Sequence, residues 1–177
     1  DEKNSMDFFK KVRIVPVSIS YEYDPTDALK MPQLMAEAND EIYIKEKNED
    51  FITLLSGIIG QKKRIHIHVG DVLDAELDTI SAETTNSNKQ MFALAQVIDD
   101  SILQSYKLWP TNYIAYDLLH NTDSNSDKYT EKEKQLFERR LELRINADDA
   151  KMKESFLAMY ANPVINKLKY QKIESHS

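Results

Sequence analysis

The sequence predicts an α/β fold, in which a partial, mainly parallel sheet with a crossover helix is followed by a helical C-terminal extension. Three observations support this class. A run of β-branched residues fills Val12–Tyr21, a second apolar alternation covers Arg64–Gly70, and a helical period dominates after Leu77. The expected boundaries are an α/β portion over residues 1–80 and the helical extension over 81–177.

Composition excludes several classes of protein. The 177 residues include no cysteine, which rules out disulfides, thiolate metal sites and a cysteine nucleophile. Only three glycines are present, so neither G-x-G-x-x-G nor the P-loop spacing can be formed. The formal charge of −7 has the wrong sign for broad attachment to nucleic acid, and we expect no nucleic-acid partner. The apolar runs are far shorter than the ~20 residues of a membrane-spanning helix. The start at Asp1, without a signal-peptide pattern, predicts a piece of a longer protein.

The two predicted strands differ in pattern. In Val12–Tyr21 apolar residues fill both alternate positions, which predicts burial on both faces in the middle of a parallel sheet. Pro16 cannot donate to the ladder, so we expect a local distortion there. In Arg64–Gly70 the apolar residues alternate with arginine and two histidines, which predicts one buried apolar face and one solvated polar face.

A helix joins these strands in the prediction. Asn48 is a candidate N-cap before an apolar run that ends near Gly60. A strand, a helix and a strand in this order make a crossover unit, so we expect two parallel strands. The helix is apolar nearly all round, and basic residues follow it at 62–64. One interpretation makes it a wall of a lipid pocket or a membrane-facing element. The other, which we favour, buries it between the sheet and other helices.

The extension contains the clearest helical signals. An apolar stripe over Asn86–Tyr106 predicts a long helix, and a shorter one is expected at Tyr113–Leu119. The Thr130–Glu133 segment has the capping-box pattern and opens a charged helix. Asn162–Pro163 supplies an N-cap and a first-turn proline for a last helix.

His66 and His68 are the first candidates for chemistry. They project to the same side of a strand, where two imidazoles could share a metal ion if carboxylates completed the shell. The alternative, which we favour, places both rings on a solvated face beside Arg64. His66 and Asp71 also have a His-x4-Asp spacing, but residues five apart on a strand project to opposite faces. We therefore expect no metal site and no catalytic residue in this chain.

One block of the sequence is similar to a known family. Arg13–Tyr21, followed by Glu22-Tyr-Asp-Pro25, resembles the last conserved block of the glycerolipid acyltransferases, the family that includes lysophosphatidate acyltransferase. In that family a strand of the I-V-P-V type follows a phosphate-binding box of acid, glycine, threonine and arginine. Lys63–Leu73 is similar to the family's following strand. Leu108–Asp117 resembles a segment of longer bacterial members that carry a helical C-terminal extension.

The resemblance implies transfer of a fatty acyl group from an acyl thioester, on coenzyme A or acyl carrier protein, to a hydroxyl of glycerol phosphate or lysophosphatidate. The acyl donor and the glycerolipid acceptor are then the partners of the parent protein, and no separate cofactor is implied. Family members carry the His-x4-Asp dyad and the phosphate-binding box upstream of this strand, and neither precedes it here. The chain is expected to be the C-terminal portion of such an enzyme and inactive alone. By the block match only, the candidate substrate-binding residues are Ile14, Val15, Pro16 and Val17.

Two other functions remain as alternatives. One is a non-catalytic interaction or regulatory domain, supported by the missing catalytic residues and the charge-rich helices. The other is a metal-dependent hydrolase built around His66 and His68. For the acyltransferase we expect a cytoplasmic location, with the parent protein at the membrane surface. We also expect self-association of the isolated chain, because an exposed strand such as Val12–Tyr21 pairs readily with another copy.

Overall fold

The structure, a computed structural model of the chain, describes residues 5–174. In that range 66% of the residues are helical, and two strands form one small antiparallel sheet. The chain divides into two compact units. The first takes in the described residues up to Ser20, His66–Lys107 and those from Lys169 onward, and the second comprises Tyr21–Ile65 and Leu108–Leu168.

The core of the first unit is formed by three helices, α1 (Ser5–Val12), α4 (Asp74–Glu83) and α5 (Ser87–Ser105). Their apolar side chains and that of Leu73, the residue before α4, close on one buried cluster, whose other members are Met6, Leu77, Ile80 and Leu94. The prediction of a helix over Asn86–Tyr106 is confirmed. Asn86 is its N-cap, and its side chain accepts a hydrogen bond from Lys89 N at 3.1 Å.

The sheet consists of β1 (Val17–Tyr21) and β2 (Ile65–Val69). Beyond the ends of the strands, Gly70 N donates to Pro16 O at 2.9 Å and Glu22 N donates to Arg64 O at 3.0 Å. These two bonds fix an antiparallel register, in which Ile19 lies opposite Ile67 and Ser20 lies opposite His66.

The predicted mainly parallel α/β sheet is therefore wrong. The prediction assumed one helix between the strands, but the connection contains two, α2 (Asp27–Ala38) and α3 (Glu49–Ile59). The connection is therefore not the single-helix crossover on which the expectation of parallel strands rested. The strand predicted at Val12–Tyr21 is also shorter. Val12 belongs to α1, and the chain turns at Arg13, whose φ is 54°.

The second unit is built from α2, α3, α6 (Pro110–His120), a short 3-10 helix (Ser126–Lys128), α7 (Glu131–Arg144) and the part of α8 (Ala150–Glu174) up to Leu168. Its core is aromatic: the Phe137 ring lies 5.1 Å from that of Tyr160 and 6.3 Å from that of Phe156. The other buried members of this core are Tyr23, Met31, Ile114, Ala115, Leu141, Leu157 and Ala161.

Two helix starts were predicted in the second unit, one at the capping box of Thr130 and Glu133 and one at Asn162–Pro163. The capping box is confirmed, since Thr130 Oγ1 accepts from Glu133 N at 3.2 Å and Glu133 Oε2 accepts from Thr130 N at 2.9 Å. The start predicted at Asn162–Pro163 is wrong, because α8 begins at Ala150 and continues through Pro163. An interior proline costs ~3 kcal/mol, and burial of the helix on both sides of it offsets that cost.

Candidate functional site

The four residues matched to the acyltransferase block lie in the first unit, where the chain enters the sheet. Ile14 packs against the apolar cluster, and its carbonyl accepts a bond from Leu73 N at 3.0 Å. Pro16 is buried, whereas Val15 and Val17 are exposed. The carbonyl of Pro16 accepts from Gly70 N at 2.9 Å, but the N–H that proline lacks would have faced β2 as well, so this pair has one bond instead of two and the ladder ends here. Neither of the two cavities described below is lined by these four residues.

The sheet is inverted with respect to the usual pattern of burial. On β1 the buried side chains are Ser18 and Ser20, whereas Val17 and Ile19 are 45% and 46% exposed. On β2 the apolar residues Ile67 and Val69 are 60% and 65% exposed, and they lie opposite the apolar residues of β1 on the same face. The predictions of burial on both faces of the first strand and of a buried apolar face on the second are both wrong.

The polar face of the sheet carries buried atoms without partners. The hydroxyls of Ser18 and Ser20 and the Nδ1 atom of His66 are enclosed and have no hydrogen-bond partner in the described chain. A buried polar group without a partner costs about 1–3 kcal/mol. The sheet therefore exposes apolar groups and encloses unsatisfied polar ones. This arrangement is unfavourable for a two-stranded sheet that no further partner covers.

Helix α3 has the same inversion. The half-buried residues, which face the rest of the second unit, are small or polar and follow a helical period: Glu49, Thr53, Ser56, Gly57 and Gly60. A Cβ on Gly60 would lie 2.6 Å from the Pro25 side chain, so this end of the helix is held close to the chain before α2. The outward side is apolar and between 44% and 74% exposed, at Phe51, Ile52, Leu54, Leu55, Ile58 and Ile59. The predicted burial of this helix is wrong, since none of its residues is buried.

A groove of about 370 Å³ runs beside α3. Its walls come from α2, α3 and the segment between them, and include Leu29, Pro32, Ile44 and Ile52. The segment is fixed by one carboxylate, because Glu49 accepts bonds from Tyr43 Oη at 2.8 Å and from Glu46 N at 2.9 Å. The groove is mainly apolar and opens next to the exposed side of the helix, so it suits an apolar segment rather than a charged ligand.

A buried carboxylate fixes the chain between α3 and β2. Glu22 accepts bonds from Arg64 Nε at 2.7 Å and Lys63 Nζ at 3.2 Å, and the Arg64 guanidinium lies 5.0 Å from the Trp109 ring. Lys63 has a φ of 54°, the left-handed conformation, which allows two consecutive side chains to reach one carboxylate. Burial acts to raise the pKa of Glu22, but the bonds from Arg64 and Lys63 outweigh it and hold that pKa below its ordinary value.

The two candidate metal ligands, His66 and His68, are not joined by a third ligand among the described residues. His68 is exposed and lines a cavity of about 570 Å³ in the first unit, together with Asp71, Glu76 and Asp100. In the part of the chain that the structure describes, no three histidine, aspartate or glutamate side chains are placed to hold one ion. His66 is half-buried, and its neighbour across the sheet is Ser20. The metal-dependent hydrolase therefore gains no support from the geometry.

The inverted faces are the feature that the sequence analysis missed. Alternation shows that two sides of an element differ, but it does not show which side the rest of the chain covers. The signal that was available is the identity of the polar residues. Serine and glycine are small enough to be buried, and the covered sides of β1 and α3 are rich in them.

Comparison of the chain with models of known protein families, with curated proteins and with solved structures finds no match. No helix within residues 5–174 combines the length and the apolar character that crossing a membrane requires.

Proposed function

We propose that this chain is the C-terminal portion of an acyltransferase, which transfers a fatty acyl group from an acyl thioester to a hydroxyl of glycerol phosphate or lysophosphatidate. The catalytic dyad and the phosphate-binding box belong to a catalytic portion that lies upstream of Arg13–Tyr21 in the parent protein. The present chain supplies the surfaces on which that portion rests. Alone, it is inactive.

The observation that carries the proposal is the inverted burial of the sheet. The block that resembles the acyltransferases, Arg13–Tyr21, contains the strand that exposes Val17 and Ile19 to water. Exposed apolar groups packed side by side mark an interaction surface. A catalytic portion that covers this face would remove the apolar residues of both strands from water, at roughly 25 cal/mol per Å². The outward side of α3 is a second surface of the same kind.

The same surfaces, considered without the resemblance to the acyltransferases, favour a second function, that of a non-catalytic interaction domain. A helical interaction domain would also present an apolar helix and an apolar sheet face to a partner. The two functions differ in what the parent protein does. Only the acyltransferase consumes an acyl thioester, so an assay of that reaction separates them.

The test is acyl transfer by the native open reading frame that contains this chain. Long-chain acyl-coenzyme A is supplied as donor, and glycerol 3-phosphate or lysophosphatidate as acceptor. The reaction releases free thiol, and this chain contributes no thiol background because it has no cysteine. We expect acceptor-dependent thiol release by the parent protein and none by the 177-residue chain. A parent protein that transfers to neither acceptor, from coenzyme A or acyl carrier protein, would refute the proposal.

A pair of variants tests whether the inverted surface takes part. Ile58→Glu places a charge on the outward side of α3, and Leu143→Glu places one on α7, where the leucine is 76% exposed. Within the parent protein we expect Ile58→Glu to lower acyl transfer at least tenfold and Leu143→Glu to leave it within twofold. Equal activities would show that α3 does not contact the catalytic portion.

A further inference from the structure

The groove beside α3 lies next to the surface on which the catalytic portion is proposed to rest. Ile52 belongs to both, since it lines the groove and forms part of the outward side of the helix. A catalytic portion seated on that side would therefore close the open face of the groove. Ligand sites occur preferentially at such boundaries between domains.

The walls of the groove are mainly apolar. Ala28, Leu29 and Pro32 lie on one side of α2, and Ile44 and Ile52 complete the apolar lining. All five residues are half-buried or exposed, so the groove presents hydrocarbon to water. Its volume of about 370 Å³ lies in the range of ~300–1,000 Å³ that small-molecule pockets occupy. The groove is therefore large enough for an apolar ligand and gains from being filled.

The polar atoms of the lining are already paired. The hydroxyl of Tyr43 donates to Glu49 at 2.8 Å, and the same carboxylate accepts from Glu46 N at 2.9 Å. The two exposed charged side chains of the lining, Glu46 and Lys47, have opposite signs. A peptide in the groove would bring backbone N–H and C=O groups that these side chains are not free to satisfy. A hydrocarbon chain has no polar group to satisfy.

We propose that the groove beside α3 holds the fatty acyl chain of the substrate and that Leu29 and Pro32 help to select its length. The inference rests on the proposed function, which supplies both the acyl chain and the catalytic portion that covers the groove. In this arrangement the methylene groups contact Leu29, Pro32 and Ile44. Each methylene that enters raises the affinity about fourfold. The gain ends when the groove is full.

The first test compares acyl donors in the parent protein. Leu29→Trp narrows the groove from an exposed position on α2, and Leu143→Trp makes the same exchange at an exposed position on α7. Transfer is measured from decanoyl- and hexadecanoyl-coenzyme A. We expect Leu29→Trp to lower the ratio of kcat/KM for the longer donor to that for the shorter donor at least tenfold. Leu143→Trp should change that ratio less than twofold. A parent protein that transfers both groups with an unchanged ratio in Leu29→Trp would overturn the inference and leave the proposed function standing.

Calorimetry on the 177-residue chain gives a measurement that does not need catalysis. Octanoyl-, decanoyl- and dodecanoyl-coenzyme A are titrated below the concentrations at which they form micelles. We expect the affinity to rise at least twofold per added methylene in the unmodified chain and in Leu143→Trp, and we expect Leu29→Trp to lose this rise. An affinity that is independent of chain length, or that rises equally in Leu29→Trp, would overturn the inference. Absence of transfer by the parent protein refutes the proposed function, whichever result the titration gives.

Discussion

Asp27 shows how single residues stabilise the second unit. It has no exposed surface, and its Oδ2 accepts bonds from Arg140 Nε at 2.8 Å and Tyr160 Oη at 2.9 Å, while Oδ1 accepts from Ala28 N at 2.8 Å. Arg144 Nε lies 3.3 Å from Oδ1. Burial, followed by the charge of Asp27, raises the pKa of Tyr160, so the phenol remains a donor at neutral pH. One carboxylate thus joins α2, α7 and α8.

Replacing Arg140 should leave this carboxylate inadequately paired. We expect Arg140→Leu to lower the free energy of unfolding by about 3 kcal/mol, the lower end of the range for a broken buried pair, since Arg144 and Tyr160 remain. The measurement is urea unfolding followed by the fluorescence of Trp109, the one tryptophan of the chain. Arg139→Leu, on an exposed position of α7, is the control and should change the value by less than about 0.5 kcal/mol.

Glu22 should make the stability of the second unit depend on pH. Its pKa is lower in the folded chain than the ordinary 4.5. The ionised form therefore stabilises the fold above that value, and the contribution disappears as the pH falls through the folded pKa. We expect Glu22→Gln to destabilise the unit more at about pH 7 than at about pH 3. The exposed Glu142→Gln should show no such difference, and an equal loss for Glu22→Gln at both values would contradict the ion pair.

At the scale of elements, the sequence predicted what local chemistry decides. The helix over Asn86–Tyr106 and the capping box at Thr130 depend on residues close together in the chain, and both were predicted from the sequence alone. The strand direction and the covered side of each element depend on distant segments, and these predictions were wrong. Pro163 shows why local sequence is not sufficient to place a helix boundary. The same proline is compatible with the first turn of a helix or with an interior position, and the tertiary packing of α8 decides between the two.

The outward side of α3 should contribute little to the stability of the isolated chain. We expect the double variant Leu54→Gln, Ile58→Gln to change the free energy of unfolding by less than about 0.5 kcal/mol and to reduce the binding of a hydrophobic dye. Leu157→Ala, in the core of α8, is the matched comparison and should cost about 2–5 kcal/mol. A comparable loss in the α3 variant would mean that this side of the helix is packed.

At the scale of the whole molecule, both units carry an element that presents its apolar side to water. Residue Ile19 in the first unit and residue Ile58 in the second are examples. The candidate site could be located from the sequence only as a block match at Ile14–Val17. Its physical basis, the inverted faces, is set by the tertiary fold and cannot be read from the sequence, because amphipathic periodicity is identical for an element and its inverted counterpart.

Under the proposed acyltransferase function, hydrogen exchange should reveal which surfaces the catalytic portion covers. We expect amides of α3 and of the sheet to exchange at least tenfold more slowly in the parent protein than in the 177-residue chain. Amides of α7, whose inner side is already packed through Phe137 and Leu141, should change little. Equal exchange of α3 in both forms would show that the helix stays in water in the parent protein too.

The outward isoleucines have a practical consequence for anyone who tries to improve the yield of this chain. A screen for soluble expression would select lysine or glutamate at Ile19, Ile58 or Ile67, because each replacement makes an exposed apolar surface more polar without disturbing a packed core. The most soluble variants would then be those in which the proposed interaction surface is most strongly altered. Tolerance of a substitution at these positions therefore reports the stability and solubility of the isolated chain and does not report its function.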